Sequence, residues 1–276
     1  LNKQQIIDEK IPVIASFSGG KDSTALVLYL LYESGITREQ LHIVFANTGW
    51  EHHYTYWQVL KMAERHPVQV VRSEKYDGIY DLMKRRGIPT RLSQFCTHEL
   101  KLYPLREYQN TFTDFVTAQG IREEEGTHSN DRGNKNIFEF DLGSMHYSWY
   151  PIYEYTLQDV WNIHDRYDFP RNKLYDLGCT RVGCFPCIYA KKSELALLKN
   201  EPDRIQQIRD IEEARGTTYF YRKTPERFRD TVTKISKKSS ASIDAVIKWA
   251  TEDKSKDTTK SKNDLLDGTC SEGLCE

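Results

Sequence analysis

Residues 11–17 (IPVIASF) form an apolar, β-branched run that leads directly into Ser18-Gly19-Gly20-Lys21-Asp22-Ser23, and an apolar helical pattern follows from Asp22 to about Tyr32. A buried strand, a tight glycine turn and a helix in that order open a βαβ unit, which commits the chain to a parallel sheet covered by helices. The turn also carries chemistry. Paired glycines let the backbone fold sharply and expose amide N–H groups to an anion. The helix N-terminus adds partial positive charge at the same point, Lys21 adds a full charge, and the Ser18 and Ser23 hydroxyls add donors. This is a phosphate cradle, but not a Walker A loop: Asp22 follows Gly20-Lys21, where Ser or Thr would be needed. The plainer alternative, a βα turn capped by Asp22, does not call for the whole six-residue string.

The same alternation continues. Residues 42–47 (HIVFAN) and 68–72 (VQVVR) read as strands, each followed by a helical pattern, Tyr54–Arg65 and Gly78–Arg86; residues 114–119 (DFVTAQ) supply a fourth strand. The expected fold is therefore α/β, a doubly wound parallel sheet with helices on both faces. Beyond Gly120, residues 122–136 read as a polar loop, 145–152 as an aromatic extended stretch, 156–166 as a helix and 190–250 as helical throughout. The expected organisation is a nucleotide-binding domain over 1–190, a small helical region over 191–250 and a flexible tail over 251–276. A chain of 276 residues, 38% hydrophobic and 29% charged, can bury its own core. No apolar run approaches the ~18 residues of a membrane span, and the first residues lack the apolar core of a secretory signal. A cytoplasmic protein with no membrane partner is expected. The net charge of −1 excludes no partner.

Several motifs in order resemble one family. SFSGGKDSTALVLYL is similar to the PP-loop of the adenine-nucleotide α-hydrolase superfamily. FANTGWEHHYTY, FCTHELKLYPL, GIREEE, WYPIYEYTLQDVW and GCTRVGCFPCI resemble later landmarks of its phosphoadenosine-phosphosulfate (PAPS) reductase family, in the iron–sulfur-binding branch. The resemblance covers roughly Ile11 to Ala190. It implies a nucleotide site at the carboxyl ends of the strands, where open α/β sheets bind ligands. It implies that Ser18, Gly19, Gly20, Lys21, Asp22 and Ser23 hold phosphates, that Asn47, Thr48 and Gly49 approach the nucleotide, and that Lys101 and Arg122 supply further cations. Gly126 departs from the family's Glu-Ser, which leaves the roles of Glu124 and Glu125 open. Members that cleave the α–β bond of ATP keep the full SGGKDS string, whereas sulfonucleotide reductases commonly lose it; this chain keeps it.

Six cysteines in a cytoplasmic chain favour metal or redox chemistry over a disulfide framework. Cys179, Cys184 and Cys187 are spaced C-x4-C-x2-C, with Cys96 upstream. Spacing alone suits an iron–sulfur cluster or zinc; the resemblance implies a [4Fe–4S] cluster, with Cys179 as fourth ligand because Cys96 follows Phe95 where members carry a second cysteine. Cys270 and Cys275 close the chain as TCSEGLCE, loosely similar to the family's C-terminal catalytic cysteine segment, and a thiol pair on a linker could deliver sulfur or electrons. A passive tail is the alternative.

Other features read more plainly. His52-His53 suits a helix entry better than a metal site. Trp149, Tyr150, Tyr153, Tyr155 and Trp161 suit packing better than base stacking. Residues 222–238 carry seven Lys or Arg against two acids, which fits either a nucleic-acid footprint or a solvated helix face. Three functions are compatible with this sequence. The first is an enzyme that cleaves ATP with Mg²⁺ to adenylate and pyrophosphate for sulfur transfer, with Lys21 and Asp22 catalytic, Asp22 helping to hold the metal, and tRNA, DNA and a sulfur- or electron-donor protein as candidate partners. The second is a PAPS or adenylyl-sulfate reductase using Cys270 or Cys275 as nucleophile. The third is a non-catalytic, cluster- or zinc-stabilised nucleic-acid-binding module.

Overall fold

The computed structural model describes residues 1–126, 137–141, 145–220, 224–233 and 238–252. Its frame is a six-stranded sheet of β1 (Val13–Ser16), β2 (Leu41–Ala46), β3 (Val68–Val71), β4 (Val116–Ala118), β5 (Phe138–Asp141) and β6 (His146–Trp149), in the order β3-β2-β1-β4-β6-β5. All neighbours are parallel except β5, which pairs antiparallel with β6. Central β1 is buried along Val13, Ile14 and Ala15 because helices cover both faces, which explains its uninterrupted apolar sequence. The strand order reverses between β1 and β4, and a crevice opens beyond their carboxyl ends. This is the doubly wound α/β fold expected from the sequence.

The edges differ from the expected layout. Strand β5 falls between the polar loop and the aromatic stretch, where no strand was expected. It is a four-residue edge strand with two acids, too short to show a period, and the Phe138 ring stacking on Trp149 at 5.4 Å fixes it. Residues 190–250 are not helical throughout. Helices Lys192–Leu197, Pro202–Arg215 and Ile243–Thr251 are separated by a short antiparallel pair, Thr231–Val232 with Ser239–Ser240. Gly216 ends the middle helix with φ +60°, and the β-branched run Thr231-Val232-Thr233 disfavours its continuation.

Two large apolar clusters form. One fills the sheet with the Lys21–Tyr32 and Leu157–Arg166 helices, burying Leu26, Leu30, Val160 and Ile163. The other joins Trp50, Leu82 and Leu100 to Leu195, Ile208, Ile243 and Val246, so the C-terminal helices pack against the cysteine-bearing region. Of the aromatic residues flagged for packing, Trp149, Tyr150 and Tyr153 are buried, while Tyr155 and Trp161 are half-buried.

Candidate active site

The Ser18–Ser23 loop runs from the end of β1 into the first turn of the Lys21–Tyr32 helix. Gly19 has φ +75°, and Ser18 Oγ accepts from Gly20 N at 3.3 Å and lies 3.0 Å from Ser23 Oγ. Three residues outside the loop hold it. Tyr175 Oη accepts from Lys21 N at 2.8 Å, Asn172 donates to the Gly19 carbonyl at 3.1 Å, and His164 Nε2 meets the Lys21 carbonyl at 2.8 Å. Burial pushes the His164 pKa down, so its neutral ring donates from Nε2. Behind the loop, Gly120 after β4 comes so close that a Cβ would stand 3.0 Å from the Asp22 carbonyl oxygen. None of these four positions announced itself in the sequence, since each belongs to the site only through long-range packing.

Charge is concentrated at Asp22, which is 2% exposed. Lys21 Nζ lies 2.6 Å from one of its oxygens and Arg122 Nε 2.6 Å from the other; Arg122 also pairs with Glu124. Both oxygens of Asp22 are thus engaged by cations. In this arrangement the carboxylate orients Lys21 and Arg122, and one of them must release it before it can reach a metal ion. A cleft of about 780 Å³ opens beside the loop, lined by Ser18, Ser23, Gly120, Gly183, Glu51 and Lys101; Lys21, Asp22 and Arg122 lie behind its lining.

The turn after β2 sits beside the cleft. Asn47 Oδ1 accepts from Gly49 N at 2.9 Å and from Tyr56 Oη at 3.0 Å, so its oxygen shapes the turn. Thr48 lines the neighbouring cysteine cavity instead of the cleft. Glu51, which the sequence did not flag, is 5% exposed and accepts from Thr48 Oγ1 at 2.6 Å and Tyr56 Oη at 3.1 Å. Its backbone bridges to Cys184, and Phe185 N donates to Trp50 O at 2.7 Å, which ties the turn to the cysteine loop.

A second cavity of about 810 Å³ is lined by all four expected ligands, Cys96, Cys179, Cys184 and Cys187, with Thr48 and Lys101. Burial pushes the Cys179 and Cys184 thiols each up to about 12, and raises Cys96. Only a strong local positive centre would keep such thiols as thiolates. Tetrahedral sulfurs at ~2.3 Å from one zinc would stand about 3.8 Å apart, whereas no three of the described cysteines bring their sulfurs within 4.8 Å of one another. Four thiols lining one cavity, no three of them close enough to share one zinc as they stand, fit a cluster, which offers one iron to each. Lys101 is half-buried on a turn of wider, π-type helix (His98–Leu102), a local irregularity frequent at functional sites. Burial would lower its pKa, but Cys184, Glu51, Cys187 and Cys96 hold it raised. Lys101 and Gly183 line both cavities.

His52, His53 and Glu201 bring their ligating atoms within 4.8 Å. His52 Nδ1, however, accepts the Tyr54 N–H at 3.2 Å as a helix cap, so Nε2 carries the proton and donates to Glu201 at 3.2 Å. That is a capped helix entry, as the sequence suggested. The described residues of the basic segment 222–238 form a short turn (Glu226–Phe228) and the strand Thr231–Val232, and Arg227 pairs with Glu252. Cys270 and Cys275 lie outside the described residues.

The phosphoadenosine phosphosulfate reductase domain matches residues 12–190. The chain belongs to that family. It is 30% identical over 194 residues to an uncharacterized protein of Methanocaldococcus jannaschii, covering 70% of this chain and 39% of the relative. It therefore spans about two-fifths of that protein's length. An uncharacterized 37.8 kDa protein of Escherichia phage 186 is 28% identical, covering 76% of this chain and 79% of the relative. Adenosine 5'-phosphosulfate reductase 1 of Bacillus subtilis is 26% identical, covering 59% and 67%. Among solved structures, PAPS reductase from Candida auris superposes with TM-score 0.52 at 15% identity, over 68% of this chain and 90% of that one, which supports the fold. Among the described residues no helix is long and apolar enough to cross a membrane.

Proposed function

We propose that this PAPS reductase-family protein binds ATP with Mg²⁺ in the cleft and cleaves it at the α-phosphate, activating an acceptor for sulfur transfer. The observation that carries the reading is the intact phosphate loop with Lys21 and Arg122 converging on Asp22 beside a four-cysteine cavity. An acceptor oxygen attacks the α-phosphorus, the bond to the β-phosphate oxygen breaks, and pyrophosphate leaves with the electron pair. The Lys21 ammonium, with the loop amides that Ser18 Oγ, Ser23 Oγ and Tyr175 Oη do not already engage, lowers the barrier where that charge grows. Arg122 holds the phosphate end in line, and Lys101 faces whatever enters from the cysteine side. A [4Fe–4S] cluster held by Cys96, Cys179, Cys184 and Cys187 would supply the sulfur-transfer chemistry. Cys270 and Cys275 are the proposed relay to a sulfur- or electron-donor protein, in a cytoplasm that keeps thiols reduced.

A second reading, reduction of a sulfonucleotide to sulfite, is favoured by the similarity to the Bacillus adenosine 5'-phosphosulfate reductase. One experiment separates the two. Anaerobically purified protein is incubated with ATP, PAPS and adenylyl sulfate in turn, with a dithiol present to supply the two electrons that sulfite formation needs, and pyrophosphate and sulfite are both assayed. Pyrophosphate from ATP supports adenylyl transfer. Sulfite from either sulfonucleotide, with ATP inert, overturns it.

A further inference from the structure

A phosphate meets such a loop through its amide N–H groups, and the first-turn amides of a helix have no acceptor within the helix. The three side chains that hold the Ser18–Ser23 loop from outside divide on this point. Asn172 donates to the Gly19 carbonyl at 3.1 Å and His164 to the Lys21 carbonyl at 2.8 Å. Both engage oxygens, which repel an anion, and both leave the loop's amides alone. Tyr175 does the opposite. Its Oη accepts from Lys21 N, the first amide of the Lys21–Tyr32 helix, at 2.8 Å. The same oxygen would stand 3.5 Å from a Cβ at Gly20, and Lys21 Nζ lies 5.9 Å from the centre of the Tyr175 ring. A hydroxyl oxygen thus occupies the amide, glycine and lysine that make the loop a phosphate cradle.

Tyr175 is mounted so that it can leave. Asn172 is 1% exposed and also accepts from Leu174 N at 3.0 Å, which fixes the start of the segment. Tyr175 follows on a helix of four residues, Lys173–Asp176, and is half-buried, while Lys173, Asp176, Leu177 and Gly178 are exposed. Gly178 has φ +90°, and a Cβ built there would meet nothing within 4 Å. An exposed turn with an open glycine lets the ring swing aside while the buried asparagine keeps its hold on Gly19.

We propose that the Tyr175 hydroxyl stands in for a phosphate oxygen in the unliganded protein and is displaced from Lys21 N when nucleotide binds. Tyr175 is a positioning residue: it keeps the first-turn amide paired while the site is empty, and it sets how strongly a phosphate must bind to take that amide over. Affinity is lower than the open loop would give, in proportion to the time that Tyr175 spends on the amide. The inference rests on the proposed function only for the arrival of a nucleotide phosphate at the loop, not for the bond that is then cleaved.

The test titrates ATP with Mg²⁺, and separately PAPS, into the full chain by calorimetry. Tyr175→Phe keeps the ring and removes the competing oxygen. It should bind nucleotide about three- to tenfold more tightly than the parent, the worth of one hydrogen bond. Asn172→Ala removes a bond to a carbonyl and should weaken binding instead. In the parent, nucleotide should change tryptophan emission as the Tyr175 ring leaves its edge-on place 5.4 Å from Trp161, and Trp161→Phe should lose most of that change. Equal or weaker binding by Tyr175→Phe overturns the placeholder, and so does parent emission that nucleotide leaves unchanged or a change that Trp161→Phe keeps in full. ATP cleavage then still stands if the parent releases pyrophosphate. Tighter PAPS binding by Tyr175→Phe, with ATP bound by neither protein, keeps the placeholder and overturns the ATP reading. Binding of neither nucleotide to either protein overturns both.

Discussion

Replacing Asp22 by Asn tests the charge arrangement on which the site depends. The change is nearly isosteric, yet it removes the one carboxylate standing 2.6 Å from both Lys21 Nζ and Arg122 Nε. Lys21 is 9% and Arg122 4% exposed, so two enclosed cations would then face each other without water to screen them. Deleting one partner of a buried ion pair costs about 3–5 kcal/mol. Arg122 keeps Glu124, a half-exposed partner, which argues for the lower end. At ~2–4 °C per kcal/mol, the unliganded variant should melt about 6–12 °C below the parent. Nucleotide should then do more for the variant than for the parent, because phosphates supply the missing negative charge. At a hundred times its dissociation constant a ligand adds about 2.7 kcal/mol to any protein that binds it only when folded. In Asp22→Asn the added phosphate also relieves repulsion, so the nucleotide-induced rise in melting temperature should exceed that of the parent. Differential scanning fluorimetry with and without ATP measures both. Equal melting temperatures without ligand, or equal rises with it, would refute the argument.

Gly120→Val should drive a side chain into the Asp22 backbone and lower nucleotide affinity at least tenfold by calorimetry, about 1.4 kcal/mol, with cysteine chemistry unaffected. Serine at Cys96, Cys179, Cys184 or Cys187 should reduce iron from about four per chain in anaerobic protein; one zinc per chain in the parent would point to a structural ion. Burial raises Glu212, which accepts from Tyr219 N and Ile243 N, to about 7 against 4.5 for a free side chain. The folded form therefore binds this proton more tightly, so its stabilising contribution is full below pH 4.5 and is lost as pH rises towards 7. Glu212→Gln should flatten urea-unfolding stability across that window by about 3 kcal/mol. Deleting residues 264–276 should leave nucleotide binding and iron content unchanged and stop turnover; full turnover would make the tail passive.

The centre of the fold was legible because β1, its glycine turn and the following helix are local in sequence and buried on every side. Cys179, Cys184 and Cys187 were legible as a group from their close spacing, whereas Cys96 joins them at the cavity only through the fold. The hidden part of the site depends on distant partners. Glu51 looks like any acidic residue until Thr48, Tyr56 and the Cys184 backbone surround it. Tyr175 and Asn172 reach the loop from about 150 residues away, at separations of 154 and 153. The wrongly continuous helix over 190–250 arose from composition, which did not register the short strands Thr231–Val232 and Ser239–Ser240.

The second apolar cluster separates two ideas of where this protein's main unit ends. The family-domain match ends at residue 190, yet Trp50, Leu82 and Leu100 are enclosed by Leu195, Ile208, Ile243 and Val246. A gene fragment cut at the family boundary would translate into a protein with half of one core open to water. The matched family domain and the packed core are therefore different lengths, and the difference lies beside the cysteines. Chimeras that exchange the catalytic module between relatives should be joined after residue 252. Cut there, the donor keeps the helices that shield its own chemistry, and the recipient inherits a finished surface.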